Sequence, residues 1–204
     1  MKELGNDSSA VWKNIKNWCG WISSGPPTKL VDNGVVYSKP KELATIMNTQ
    51  FISKVNSYRN QLSQNVGNPL TLVRNIMRSQ TCTFNLRTVH PDEVNKVISL
   101  LKSSDSCGLD NINSRVIKLA TKELLPAITH VINLSILQGI FPGEWKIAKV
   151  IPMHKKNETI YPANYRPVSL LPIFSKILER VVFNQLNEYF EENQLLHPSH
   201  HGFR

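Results

Sequence analysis

The spacing of apolar residues changes along this chain, and that change limits the folds it can adopt. Several segments, such as HPDEVNKVISLLKSS, repeat apolar residues at the three- and four-residue spacing of amphipathic helices. From Trp145 the pattern alternates in WKIAKVIPMH, which predicts a strand ending at Pro152 with YRPVSLL as a hairpin partner across residues 155–164. Helical spacing returns in SKILERVVFNQLNEYFEE. We therefore predict an α+β fold, mostly helical with a small antiparallel β-hairpin.

Prolines and glycines set the expected limits of the other elements. KPKELATIMNTQFISKVNS predicts a helix that starts near Pro40, and a short extended piece is expected around residues 81–89. SRVIKLATKELLPAITHVINLSILQG predicts two helical stretches, bent at Pro126 and stopped by Gly139. In SSGPPTKLVDNG, two prolines and an Asn-Gly pair are expected to interrupt any regular element.

Charge and hydropathy indicate which partners and which cellular location to expect for this protein. The formal net charge of +9 favours polyanionic partners such as nucleic acid, although many basic proteins bind none. No run of about eighteen uncharged apolar residues occurs, and MKELGNDSSAVWKNIKNW lacks the hydrophobic stretch of a secretory signal. We expect an intracellular protein, nuclear or cytoplasmic, that is not secreted and has no membrane partner. Its oligomeric state is not indicated.

Metal and catalytic motifs give little support for a reaction within the chain. The three cysteines Cys19, Cys82 and Cys107 are far apart and form no CxxC pair, so they are expected to be small buried hydrophobes. The sequence contains no GxSxG, GxxxxGK[ST] or HExxH motif. Asp105 and Asp110 form a close pair in a loop before a helix, a setting typical of turn and capping roles.

Basic residues cluster between Lys146 and Arg180. Seven basic side chains in this segment meet only Glu158 and Glu179. Lysine is a mobile point charge and arginine a planar fork for two oxygens, so such a cluster can present several donors to phosphates. The alternative is a solvated hairpin with Arg166 paired to a neighbouring carboxylate. The residue pattern alone leaves both interpretations open.

The order of several sequence blocks resembles the reverse transcriptases of non-LTR (LINE-type, jockey/CR1-like) retrotransposons. These blocks are GIFPGEWKIAKVIPMHKK, NYRPVSLLPIFSKILERVVFNQL and HGFR, preceded by SCGLDNINSRVIKLA, which resembles a Gly-x-Asp-containing loop and helix. WKNIKNWCGW, PPTKLVDNG and ELATIMNTQFISKV resemble the connector between endonuclease and polymerase. The resemblance implies a helical connector at residues 1–80. It implies that residues 81–204 are the N-terminal part of the polymerase domain, a partial fingers subdomain of a right-hand polymerase that stops before the palm.

The resemblance also implies roles for individual residues. Arg166 in NYRP matches the arginine that contacts the triphosphate of the incoming nucleotide, and Lys155 or Lys156 matches its partner lysine. A looser set is expected to line the template path, namely Lys146, Lys149, Lys176 and Arg180. The family usually has Gln shortly before GFR, whereas His200 stands there in this chain.

Cofactor and partner expectations follow from the same resemblance. The full-length parent enzyme would use Mg²⁺, an RNA template, a DNA primer and dNTPs, with the metal held by palm carboxylates that follow GFR in the family. The sequence printed here stops at Arg204, so we expect no catalytic residue and no metal ligand within it, including at His197, His200 and His201. We also expect no activity from the chain alone. The alternatives are a noncatalytic retrotransposon-derived nucleic-acid-binding or interaction module and a nonfunctional remnant.

One further expectation concerns the last long helix. In the family, the apolar face of the helix from Ser175 to Phe190 would pack on the palm. Without that partner, its apolar side chains would form an exposed patch.

Overall fold

A computed structural model describes residues 26–62, 71 and 83–196 of the chain. Its helices are α1 (Pro40–Gln61), α2 (Pro91–Leu100), α3 (Ser114–Leu119), α4 (Thr121–Gln138) and α5 (Ile173–Glu192). Its strands are β1 (Leu30–Asp32), β2 (Val35–Tyr37), β3 (Lys149–His154) and β4 (Tyr165–Leu170), and short 3₁₀ turns span Gly143–Lys146 and Pro162–Asn164. The strands form two antiparallel hairpins, β1–β2 and β3–β4. The predicted mostly helical α+β fold is confirmed, with two hairpins rather than one.

The chain divides into two compact units. The first comprises Met1–Gln61 and Pro152–Pro167, and the second comprises Leu62–Ile151 and Val168–Arg204. Strands β3 and β4 therefore contribute residues to both units. The assignment of residues 1–80 to a connector stays a prediction.

The first unit contains the β1–β2 hairpin, which the sequence analysis did not foresee. Asn33 and Gly34 have φ values of 49° and 80° and form the two-residue turn between the strands. Such a turn, with positive φ at both central residues, matches the twist of paired strands. The Asn-Gly pair does interrupt regular structure as expected, but it does so as the turn of a hairpin that was not predicted.

Helix α1 completes the core of this unit. Leu43 and Met47 on its inner face are buried together with Leu30 of β1 and Tyr165 of β4. The helix predicted to start near Pro40 is confirmed, although its last apolar residue, Val55, is 64% exposed.

The second unit has a larger core built from α2, α3, α4 and α5. The buried residues of these helices and the preceding segment are Val89, Val94, Val97, Ile98, Ile117, Ile128, Ile132, Ile173, Ile177, Leu178 and Val181. Ile177, Leu178 and Val181 lie on the apolar face of α5, which was expected to be exposed in the absence of the palm. That expectation is wrong for these residues, because helices of the same unit bury them.

Of the two boundaries predicted in this helical region, one differs from the structure and one agrees with it. The helical pair in residues 114–138 breaks at Ala120, and Pro126 lies inside α4, where the loss of one N–H does not end the helix. Gly139, with a φ of 63°, ends α4 as predicted.

The strand predicted to end at Pro152 starts later and ends later. Trp145 lies in a 3₁₀ turn and stacks on Phe174, with 5.9 Å between ring centroids, so it belongs to no strand. Strand β3 runs from Lys149 through Pro152 to His154. Pro152 is tolerated because each strand of a two-stranded sheet has an open edge, which needs no N–H.

Two amide side chains fix the extended segment before α2. Gln185 of α5 accepts a hydrogen bond from the Arg87 N–H at 2.9 Å and donates one to the Arg87 carbonyl at 3.0 Å. Asn133 of α4 does the same for Val89, at 2.8 and 2.9 Å. Each amide thus satisfies one backbone donor and one acceptor that have no strand partner.

The loop between α2 and α3 uses its aspartates for local structure. Asp105 pairs with Arg115 at 2.8 Å, and an Asp110 carboxylate oxygen accepts the Ile112 N–H at 3.2 Å. The predicted turn role of Asp110 is therefore confirmed. Gly108 lies against the start of α5, where an added Cβ would come within 2.8 Å of the Pro172 nitrogen, so only glycine fits without movement. Cys107 is half-buried, and Cys19 and Cys82 lie outside the described residues.

Candidate phosphate-binding site

The loop between β3 and β4 is held by hydrogen bonds within the first unit. The Lys155 N–H donates to the Asn164 carbonyl at 2.8 Å, and the Asn164 side chain donates to the Glu158 carbonyl at the same distance. The Tyr165 hydroxyl donates to the Thr159 carbonyl at 2.7 Å. These bonds close the loop at its base, which fixes the backbone that carries the predicted basic residues.

Tyr165 determines the direction of its neighbour Arg166. The Tyr165 side chain is 5% exposed, lies in the core of the first unit and has a phenol whose pKa is raised by burial. The His154 ring meets it edge-on, with 5.4 Å between centroids. Successive side chains of a strand point to opposite faces, so Arg166 faces outward when Tyr165 faces inward. Arg166 is accordingly exposed.

Helix α1 and the β3–β4 loop enclose a groove of about 330 Å³ in the first unit. Helix α1 lines one side with Gln50, Phe51, Lys54 and Val55. The hairpin and its loop line the other with Lys155, Lys156, Ala163, Asn164, Tyr165, Arg166 and Pro167. All three residues predicted to contact a nucleotide therefore line one groove, which we call the basic groove.

The basic groove is positively charged and contains no acid. Four of its lining residues are cationic, Lys54, Lys155, Lys156 and Arg166, and none is Asp or Glu. Within the described part of the chain, none of these four forms an ion pair. Among the residues that the structure describes, the Arg166 guanidinium donates a hydrogen bond to the Met153 sulfur, at 3.1 Å. A thioether is a weak acceptor, so most of the arginine donors remain available to a ligand.

The surroundings of Arg166 bear on its two interpretations. A carboxylate next to Arg166 would indicate that the arginine forms a structural ion pair on the surface. No such partner occurs among the described residues, and three further cations share its groove. The arrangement suits a ligand with several neighbouring negative charges.

The residues predicted to line the template path lie elsewhere. Lys146, Lys149, Lys176 and Arg180 belong to the second unit and do not line the basic groove. Lys146, Lys149 and Arg180 are exposed, whereas Lys176 is partly buried. The Arg180 guanidinium lies 5.1 Å from the centroid of the Phe183 ring, which holds it on the surface of α5.

Lys54 is the groove cation that the sequence analysis missed. It follows Met47 by seven residues and Phe51 by three, so it continues the inner face of α1 beyond the core. Helical spacing could have placed Lys54 on that face. No pattern in the sequence indicates that this face meets the β3–β4 loop about one hundred residues later.

The described residues do not provide a site for the Mg²⁺ that the resemblance implies. Within residues 26–62 and 83–196, no three His, Cys, Asp or Glu side chains come close enough to hold a metal. Asp105 and Asp110 are engaged by Arg115 and by the backbone of their own loop. His197, His200 and His201 lie outside the described residues. We therefore assign no step to a metal.

The chain is similar to several proteins of transposable elements. The chain is 32% identical over 120 residues to the RNA-directed DNA polymerase from mobile element jockey of Drosophila melanogaster, covering 58% of this chain and 13% of that protein. It is 33% identical over 102 residues to a putative 115 kDa protein in a type-1 retrotransposable element of the same species, covering 49% and 10%. A probable RNA-directed DNA polymerase from its transposon BS is 29% identical over 120 residues, covering 58% and 13%.

The resemblance to non-LTR retrotransposon reverse transcriptases is confirmed. The chain spans only about a tenth of the length of these relatives. No protein-family model matches it. Among the described residues, no helix is both long enough and apolar enough to span a membrane.

Proposed function

We propose that this chain is part of the RNA-directed DNA polymerase of a non-LTR retrotransposon and that the basic groove binds the triphosphate of the incoming dNTP. One observation carries the proposal. Arg166 matches the triphosphate-contacting arginine of such polymerases and Lys155 or Lys156 matches its partner lysine, and all three residues line a single groove that contains no acid. In this proposal the chain contributes part of the fingers of a right-hand polymerase.

The chemistry of the basic groove fits a triphosphate. Arg166 presents a planar fork that can take two oxygens of one phosphate. Lys155 and Lys156 supply mobile point charges that can neutralise neighbouring phosphates. The hydrogen bonds that close the loop hold these groups in place before the ligand arrives, which reduces the entropy lost on binding.

The remaining predicted contacts and partners belong to the same proposal. Lys146, Lys149, Lys176 and Arg180 would contact the backbone of the RNA template, since a polymerase must read any sequence. A DNA primer and dNTPs complete the set of partners. A nuclear or cytoplasmic location stays a prediction.

The test measures how the rate of DNA synthesis depends on dNTP concentration, in a polymerase that contains this chain together with its palm. Arg166→Ala is expected to lower the efficiency of dNTP use about ten- to a hundredfold, because a charge-assisted contact contributes roughly 1.5–3 kcal/mol. Arg166→Lys should also be poorly tolerated, because one ammonium cannot replace a two-pronged contact. Lys155→Ala and Lys156→Ala should each have a smaller effect, because neighbouring lysines substitute for one another.

Arg59→Ala is the matched control. Arg59 is exposed in the last turn of α1 and does not line the basic groove, so its loss changes the net charge equally without touching the site. It should retain near wild-type efficiency. If folded Arg166→Ala behaves like Arg59→Ala, the triphosphate assignment is wrong.

A further inference from the structure

We infer that Lys54 of α1 is a fourth phosphate ligand of the basic groove, so that the site is shared by two chain segments about one hundred residues apart. The inference rests on the proposed function and extends it to a residue of ELATIMNTQFISKV, the block that resembles the connector, where the resemblance implies no phosphate contact. The ligand chemistry is a chain of phosphate groups.

Packing fixes α1 at the edge of the site. Leu43 and Met47 of α1 share a buried core with Tyr165, the residue directly before Arg166. The helix is therefore anchored to the same core as the strand that carries the arginine. Lys54 lies two turns beyond Met47 on the same face, and the groove lining includes it together with Phe51.

Charge gives the second reason. Lys54 has no ion pair within the described residues, and no acid lines the groove that it shares with three other cations. Like charges held near one another repel, and a ligand with several negative charges removes that repulsion. A triphosphate places such charges within a few ångströms of one another, which suits four converging cations.

Lys41 provides a control on the same helix. It is the other lysine of α1, it is exposed, and it lies in the first turn outside the basic groove. Its neighbour Glu42 pairs with Lys39, so that end of the helix carries mixed charge. A general effect of removing a lysine from α1 should appear equally at both positions.

The experiment titrates the 204-residue chain at low salt with tripolyphosphate, with a dNTP and with a single-stranded RNA oligonucleotide. Lys54→Ala is expected to weaken binding of tripolyphosphate and dNTP about three- to tenfold, and Lys41→Ala to stay within about twofold. Lys54→Arg should restore binding, because a guanidinium also binds phosphate. Circular dichroism checks that each variant is folded, which the exposure of Lys54 favours.

Arg166→Ala, measured in parallel, separates failure of the inference from failure of the proposed function. If both variants lose tripolyphosphate binding, both proposals are supported. If Arg166→Ala loses binding and Lys54→Ala matches Lys41→Ala, the role of Lys54 is wrong and the proposed function stands. If only Lys54→Ala loses binding, Lys54 is a ligand and the role of Arg166 is wrong.

Two results would remove Lys54 from the phosphate site altogether. Unchanged binding in both variants would overturn both proposals. Loss of RNA binding by Lys54→Ala with tripolyphosphate binding intact would assign Lys54 to the backbone of a nucleic acid strand and overturn the shared site.

Discussion

At the scale of single residues, Glu93 links an ion pair to the start of helix α2. One carboxylate oxygen accepts the His90 N–H at 2.9 Å, which completes a capping box. The two oxygens also accept hydrogen bonds from the Arg87 guanidinium, at 3.0 and 2.9 Å. The hydrogen bond from Arg87 is the main cause of a lowered pKa at Glu93, and partial burial opposes it. The ionised carboxylate therefore stabilises the folded state.

The lowered pKa predicts how stability changes with pH. The contribution of Glu93 is complete above its ordinary pKa of 4.5 and is lost as the pH falls through the lowered value. Glu93→Gln should reduce the free energy of unfolding at pH 7 by about 0.5–1 kcal/mol and flatten the loss of stability in acid. Thermal unfolding between pH 7 and about pH 3 measures both effects.

Glu123 serves as the control for that measurement. It is an exposed acid in the first turn of α4, so Glu123→Gln removes the same charge from a comparable helix position. An acid profile of Glu93→Gln that matches wild type would show that the Arg87 pair does not stabilise the fold.

At the scale of elements, the amide side chains of Gln185 and Asn133 join the segment before α2 to helices α5 and α4. Gln185 is 6% exposed and satisfies both backbone groups of Arg87. Buried polar groups without a partner are costly, so the backbone at Arg87 depends on this side chain.

Gln185→Ala should therefore lower the free energy of unfolding by about 2 kcal/mol, because two hydrogen bonds are lost and two backbone groups are left unpaired. Urea denaturation measures the loss. Asn184→Ala, at the exposed neighbouring position of α5, should change stability by less than about 0.5 kcal/mol. Equal stability of the two variants would mean that water replaces the two hydrogen bonds between Gln185 and the Arg87 backbone without loss of stability.

The elements also show what the sequence could and could not predict. Helices α1, α2 and α5 were predictable because their apolar spacing is local. The β1–β2 hairpin is not predictable in this way, because its strands have three residues each, too few for a visible alternation, and an Asn-Gly pair by itself indicates only a break in regular structure. Lys155, Lys156 and Arg166 came from matched blocks, whereas Lys54 joins them only through tertiary packing of α1.

At the scale of the whole molecule, the excess of positive charge predicts weak binding of RNA or single-stranded DNA without sequence preference. The formal net charge is +9, and exposed cations occur in both units. Contacts to phosphates release counterions, so affinity should fall steeply with salt, with a slope of roughly −0.7 per phosphate contacted on a single strand. Fluorescence anisotropy from about 50 to 200 mM salt, with two oligonucleotides of unrelated sequence, measures both properties.

Two variants test which lysines contribute to the salt dependence of nucleic acid binding. Lys149→Ala, at a proposed template contact, should lower the slope, and Lys41→Ala should leave it nearly unchanged. Affinity that is insensitive to salt, or absent at low salt, would rule out binding through the basic surface.

The basic groove also bears on how the chain folds. Its four cations have no ion-pair partners among the described residues, and the core that those residues form in the first unit has four buried apolar or aromatic side chains, Leu30, Leu43, Met47 and Tyr165. A polyanion that binds only the folded state stabilises it by mass action, by about 2.7 kcal/mol at a concentration one hundred times its dissociation constant. The first unit would therefore melt at a higher temperature in a cell rich in nucleotides than in a dilute buffer without phosphate. The nucleotide proposed to bind the basic groove would then also stabilise the newly made chain.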